Sequence, residues 1–339
     1  MGAITQSGRK TLEGIDSTAF EHPADRAALH ALRKVPGFDL VLRKLIGLIG
    51  ERSVRYLHLA NAVRVSERQF TRVDSLYRDC LEVLDVEQRP ELYVVQTPMV
   101  NAGALGVDTP FIALNSGTIE LFDDDELRFV LGHELGHVLC DHSLYKTMLA
   151  LLVRASVAYG VMPVAGMVLF GVGAALREWD RKSELTADRA GLLAVQRPEA
   201  AYRVHMKMAG GGRVSEMSVE EFVSQAQDYD QGGDMLDGVI KLMNLLQRSH
   251  PFSVLRLRAL RAWVEEGGYQ AVLDGAYARR DGDGKRSLHE DVLEGAREYR
   301  QSAKRSGDPL TRFLSELAEA GGAALEKARG VVRRDDDRS

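Results

Sequence analysis

No charged side chain occurs between positions 155 and 176, a run of 22 residues, and the groups on either side of it limit what it can become. At about 1.5 Å per helical residue, such a run would cover a hydrocarbon core of about 30 Å. Before it lies His133-Glu134-Leu135-Gly136-His137, and after it Glu184 and Asp188. Histidines four apart share one helical face and can reach one metal ion, with Glu134 placed to take a proton from water activated there. A catalytic zinc normally has three protein ligands, so the third must come from elsewhere in the chain. Glu184 is the candidate, and Asp188, one turn on, could accept a hydrogen bond from a ligating imidazole. A single crossing of a bilayer would put His137 and Glu184 on opposite sides. Only a hairpin, or no insertion at all, is compatible with one ion.

Two full spans need roughly 40 apolar residues, whereas 147–176 supplies 30 and includes Arg154. Gly160 and Pro163 fit a bend between two short helices. Three readings stay open: a buried or self-associating hairpin in a soluble protein, a hairpin dipping into a membrane interface, and true insertion. The hairpin therefore brings membrane-surface contact and homo-oligomerisation into consideration as partners.

Elsewhere the chain is unexceptional. Its 339 residues carry 44 Lys and Arg against 49 Asp and Glu, a formal charge of −5. That excludes a disordered chain and a polybasic nucleic-acid binder. Two cysteines, Cys80 and Cys140, cannot make a disulfide framework and point to a reducing compartment. The N-terminal 20 residues have acidic groups where a signal peptide needs its apolar core, so no leader is expected. A cytoplasmic protein, peripheral to the membrane if the hairpin touches one, is the expectation.

Patterning predicts an α+β chain, mainly helical. Residues 1–22 read as a flexible tail and 23–88 as a helical region broken near Pro36-Gly37, with a helix over 67–84. Short strands are expected at 91–96 and 109–117, with Asn101-Ala102-Gly103 as a loop between them. Asp123 to Glu126 give an acidic start to the helix that contains the histidines, and a separate charged helix follows the apolar run. Helices are also expected over 218–227 and 238–247. The core unit is placed at 89–265, with the apolar hairpin at 147–176, and 266–339 is read as a helical appendage with a charged tail.

Phe129, Val130, Val138 and Leu139 make the histidine helix a buried one, where unpaired imidazoles and a carboxylate would cost several kcal/mol. That argues against two merely solvent-facing histidines. His142, five residues past His137, falls off the ligand face and reads as structural. His22, His30, His58, His205 and His289 lack a partner pattern.

In this combination and order, the residues resemble the HtpX-like and CAAX-prenyl-protease zinc metallopeptidases, peptidase family M48. The likeness runs over roughly 90–260: the Asn101-Ala102 loop, a strand ending Leu114-Asn115-Ser116-Gly117, the acidic helix start, HELGH, Glu184 and Asp188 in ELTAD, then His250-Pro251 and Arg256. The resemblance implies a zincin-like core with a small sheet beside the HExxH helix. It further implies one zinc held by His133, His137 and Glu184, with Glu134 as general base. His250 would lie near the metal, stabilising the oxyanion or blocking the open position at rest, with Arg256 supporting it through Asp188 or another carboxylate. Residues 111–115, with Ile112, Ala113 and Leu114, would form an edge strand that takes extended substrate beside Asn101 and Ala102. One departure is Leu185, where an aromatic commonly follows the glutamate ligand. The expected activity is endopeptidase action on unfolded or flexible polypeptide. A proteolytically silent scaffold or chaperone-like module, acting through the hairpin and C-terminal helices, is the alternative.

Overall fold

The structure is a computed structural model that describes residues 5, 8–35, 38, 42, 51–106, 109–159, 163–231 and 252–280. The described helices, in chain order, are α1 (Pro23–Arg33), α2 (Glu51–Asn61), α3 (Thr71–Val83), α4 (Ser116–Leu121), α5 (Asp124–Leu139) and α6 (His142–Tyr159). They continue with α7 (Pro163–Val195), α8 (Pro198–Gly210), α9 (Val219–Gln231), α10 (Ser253–Glu265) and α11 (Gly268–Leu273). A small mixed sheet of β1 (Val63–Arg64), β2 (Glu91–Val95), β3 (Ala102–Leu105) and β4 (Phe111–Asn115) has the order β1-β2-β4-β3. The fold is thus α+β and mainly helical. The expected helix over 238–247 lies outside the described residues.

The sheet corrects two expectations. Ala102 and Gly103 belong to a strand rather than a loop, pairing with Leu114 and Ala113 of β4. Small residues have little strand preference of their own, so only the partner strand defines β3. Consequently β4 is not an edge: it runs parallel to β2 on one side and antiparallel to β3 on the other. The backbone groups of Ile112, Ala113 and Leu114 are committed to those ladders, and β3 is the edge instead.

Helix α5 begins at a reciprocal cap. Asp123 Oδ1 accepts from the Glu126 amide at 2.9 Å, and Glu126 Oε2 accepts from the Asp123 amide at 2.9 Å. From there α5 crosses α7 at close range, because the contact faces carry almost no side chain. A Cβ on Gly132 would lie 2.3 Å from the Ala194 Cβ, and one on Gly136 2.5 Å from the Ala190 Cβ. Each glycine precedes a histidine of the motif, so the same approach that buries the glycines carries His133 and His137 towards α7. Gly132→Ala is expected to destabilise the metal-free chain by about 1–3 kcal/mol in urea unfolding, since methyl meets methyl with nowhere to move. Gly173→Ala, where an added Cβ meets no atom of the described residues within 4 Å, should be neutral or stabilising, by up to about 1 kcal/mol. Equal effects at the two sites would refute the close-crossing account.

The apolar run and the carboxylate-bearing segment form one continuous helix, α7, rather than two. It packs against α6, so the two make a helical hairpin. Around the hairpin's base, α1 adds Ala28 and Leu32 to a buried cluster with Tyr145, Met148, Leu176 and Trp179. Residues 160–162 and the side chains of 153–171 lie outside the described residues. Among the described residues no helix is long and apolar enough to cross a membrane.

The N-terminal segment is not a loose tail. Leu12, Ile15 and Phe20 are buried in the main core. The Leu12 amide donates to the Val83 carbonyl at 2.8 Å, and Arg9 Nε donates to the Val195 carbonyl at 2.9 Å. These apolar residues follow neither a helical nor a strand period, which is why patterning misses them. A segment of turns and a short 3-10 helix, Ser17–Ala19, can bury such residues without a repeat.

Candidate metal centre

Three side chains converge where α5 crosses α7. The ligand atoms of His133, His137 and Glu184 all lie within 4.8 Å of one another, and all three residues are buried. His133 Nε2 is 3.5 Å from Glu184 Oε2, and His137 Nε2 is 3.3 Å from Glu184 Oε1. A tetrahedral ion with bonds of about 2.0–2.1 Å spaces its ligands about 3.3 Å apart, so these separations suit one. Among the described residues no group makes a well-formed hydrogen bond to the buried His137 Nε2, whose polar neighbour is the Glu184 carboxylate. A lone pair left so, at a cost of about 1–3 kcal/mol, fits a position made for a cation.

Glu184 is held from both sides. Lys146 Nζ lies 2.7 Å from Oε1, and Arg256 Nη1 lies 2.8 Å from Oε2. Lys146 also pairs with Asp180 at 2.7 Å. Asp188 accepts from Arg256 Nε at 2.8 Å and Nη2 at 2.6 Å, and its Oδ1 is 3.0 Å from His133 Nδ1. Burial raises the Asp188 pKa, but Arg256, then His205, outweigh it and hold the carboxyl well below its usual range. Asp188 is therefore an anion that can accept the His133 Nδ1 proton, leaving Nε2 for the ion.

The two histidines are tuned apart. Burial opposes charge on His133, yet its hydrogen bonds to Asp188 and Glu184 prevail and raise its pKa to about 9. Burial, followed by the Lys146 charge, lowers that of His137 well below the ordinary value. An ion held through His133 would then displace a proton from it at neutral pH. Metal binding is thus expected to release about one proton at pH 7 and to tighten about tenfold per pH unit up to about 9, then level off. Calorimetry in buffers of different ionisation enthalpy measures the release; a pH-independent affinity between 7 and 9 would contradict it.

Beside the triad opens a cleft whose lining includes Asn101, Ala102, Phe129, His133, Glu134, Val204, His205, Met208 and Arg256. Its walls come from the start of β3 and from α5, α8 and α10, elements far apart in sequence. Ile112, Ala113 and Leu114 do not line it. His250 lies outside the described residues.

Two histidines given a bland reading sit close to the centre. His142 Nδ1 is 3.0 Å from His137 Nδ1. His205 packs edge-on against Phe129, with Nε2 3.6 Å from Asp188 Oδ2. Burial, with Arg256 nearby, lowers the His205 pKa to about 4 despite Asp188. Lys146 also went unnoticed. His142 and Lys146 are four apart on α6, so their shared face was a usable signal; His205 carries none in its own segment.

Comparison with known proteins agrees with this geometry. The chain is 34% identical over 264 residues to the plastoglobule-localized metallopeptidase 48, chloroplastic, of Arabidopsis thaliana, covering 76% of each. An HtpX protease homolog of Helicobacter pylori is 35% identical over 82 residues, 24% of this chain and 26% of that one. Another from Tropheryma whipplei is 47% identical over 51 residues, 14% of this chain and 18% of its own. No solved structure gives a significant match. Peptidase family M48 matches residues 67–264, more than half of the chain and all three converging side chains, and the protein belongs to that family as a metallopeptidase.

Proposed function

We propose that the protein is a zinc-dependent endopeptidase that cleaves unfolded or flexible polypeptide segments. The observation that carries this reading is the convergence of His133, His137 and Glu184 at the wall of a cavity that Glu134 also lines. One nitrogen from each histidine and one carboxylate is a catalytic zinc ligand set, which leaves a position for water. Bound there, zinc would act as a Lewis acid, polarising the scissile carbonyl and acidifying water. Glu134 takes the proton from the attacking water and delivers it to the leaving amine. Arg256 and Asp188 hold His133 in the tautomer that points Nε2 at the ion.

Extended substrate would add to the free edge of β3, because Asn101 and Ala102 line the same cavity as Glu134. A segment must be unfolded to lie along a strand edge, which sets the substrate class. His250 is retained as a proposed oxyanion donor or resting block.

For location, we propose contact with a membrane surface from one side, through the hairpin. Support comes from the flanking of the apolar run by His137 and Glu184, which share one site, and from the plastoglobule named in the relative above. Flotation with vesicles, followed by a carbonate wash, tests it: a wash-resistant protein contradicts peripheral contact, and so does one that never floats.

The central test is metal dependence. Casein or a quenched peptide should be cut by the chain, lose cleavage on chelation, and regain it with one equivalent of zinc. Cleavage persisting without metal sinks the reading. A fully loaded chain that cleaves no unfolded substrate, even as His250→Ala, favours the scaffold alternative.

A further inference from the structure

The N-terminal helix α1 lies outside the residues that match the family, yet it supplies the end of a hydrogen-bonded chain that begins at a metal ligand. Behind His137, the Nδ1 atom faces His142 Nδ1 at 3.0 Å. On the far side of that ring, His142 Nε2 lies 3.1 Å from Asp25 Oδ2. The same oxygen accepts the Thr186 hydroxyl proton at 2.6 Å, and Thr186 Oγ1 accepts from the His22 amide at 3.0 Å. His137, His142 and Asp25 are all essentially excluded from water, at 0%, 3% and 2% exposure.

We propose that Asp25, acting through His142, selects the tautomer of His137 that can bind metal, so that α1 is an outer part of the metal centre. The proposal rests on His137 being a ligand through Nε2. Two facing imidazole nitrogens share one proton, so one ring donates and the other accepts. If His142 carried its proton on Nδ1, it would donate to His137 Nδ1, and the neutral His137 would carry its own proton on Nε2. That proton would occupy the lone pair the ion requires. A carboxylate at the other end removes the ambiguity, because Asp25 accepts only the tautomer of His142 protonated at Nε2. His142 Nδ1 is then an acceptor, His137 donates to it from Nδ1, and His137 Nε2 faces Glu184 with its lone pair free. Thr186 fixes the carboxylate from α7, the helix that also carries Glu184, so the relay and the ligand are held by one rigid element. His142 and Asp25 are positioning residues and touch neither substrate nor ion.

A purely structural role, docking α1 onto the hairpin base, would lower the thermal midpoint of the metal-free chain without changing how tightly the folded protein holds zinc. Zinc affinity of the full chain, measured by chelator competition, separates the two. His142→Leu and Asp25→Ala are expected to weaken zinc by about 10–100-fold, the range for outer-shell partners of ligating histidines. His142→Gln, whose amide oxygen can accept from His137 while its NH2 group donates to Asp25, should recover most of that loss. Folded variants that keep wild-type affinity would overturn the proposal, as would His142→Gln behaving like His142→Leu. Where a variant fails to fold, nitrogen-15 spectra of histidine in the wild-type zinc-loaded chain decide: protonation of His137 Nδ1 and His142 Nε2 supports the proposal, and protonation of His142 Nδ1 refutes it. A chain that binds zinc in the expected tautomers yet cleaves nothing would end the peptidase reading and leave this one standing.

Discussion

Glu134→Gln is expected to leave the chain folded and loaded with one zinc while kcat/KM on a quenched peptide falls by about 10²–10⁴-fold, the usual contribution of a general base. Glu134 is 2% exposed and follows directly on His133, a proposed ligand, in the wall of the cleft beside the triad. Glutamine keeps its volume and its hydrogen-bonding reach, so packing along α5 is undisturbed. What it cannot do is accept a proton and return it. The ligand set does not include Glu134, so zinc content measured by mass spectrometry should match wild type. Activity within tenfold of wild type would mean that another group moves the proton. Loss of zinc would mean that Glu134 is itself needed for the ion.

Glu184→Ala should remove the ion and weaken the fold together. The carboxylate sits between Lys146, which is partly buried, and the buried Arg256, two cations that keep Asp180 and Asp188 as their remaining partners. Breaking a buried pair by removing one member costs about 3–5 kcal/mol, and the surviving partners place this case towards the low end. Zinc stoichiometry should drop towards zero at concentrations that saturate wild type, and the metal-free chain should unfold at lower urea. Adding Lys146→Met in the same chain removes one of the stranded charges. It is expected to restore part of the stability and none of the metal, a separation that a double-mutant cycle reads directly. If the double variant regains zinc, Glu184 is not a ligand. If Glu184→Ala is as stable as wild type without metal, its ion pairs contribute nothing to the fold.

The convergence of His133, His137 and Glu184 was legible because helical spacing is local. His133 and His137 declare a shared face within one turn, and Glu184 and Asp188 do the same on their own helix. The acidic run Asp123 to Glu126 likewise announced the start of α5, and the structure adds a reciprocal cap between its first and last residues. Strands were less readable. Phe111–Asn115 has the composition of a strand and forms one, but nothing in those residues says whether one neighbour or two will pair with it. Ala102–Leu105, with no side chain larger than alanine until its last position, became a strand only because β4 lay beside it. The N-terminal segment misled for a related reason, since Leu12, Ile15 and Phe20 are buried by other parts of the chain and follow no repeat of their own.

By itself, the sequence displayed two imidazoles and a carboxylate suited to one ion, placed on both sides of an apolar run, and the structure brings those three groups together. Tertiary structure alone decided what surrounds that ion. His142, Lys146 and Arg256 touch the converging side chains directly, while Asp25 pairs with His142 and His205 faces Asp188, so that four helices, α1, α6, α8 and α10, contribute. Ligand identity depends on atoms a few bonds from the backbone at fixed helical offsets, which a sequence displays. The charge balance and tautomers of those ligands depend on contacts between segments tens to more than a hundred residues apart, and such contacts exist only after the glycine faces of α5 and α7 have closed on one another.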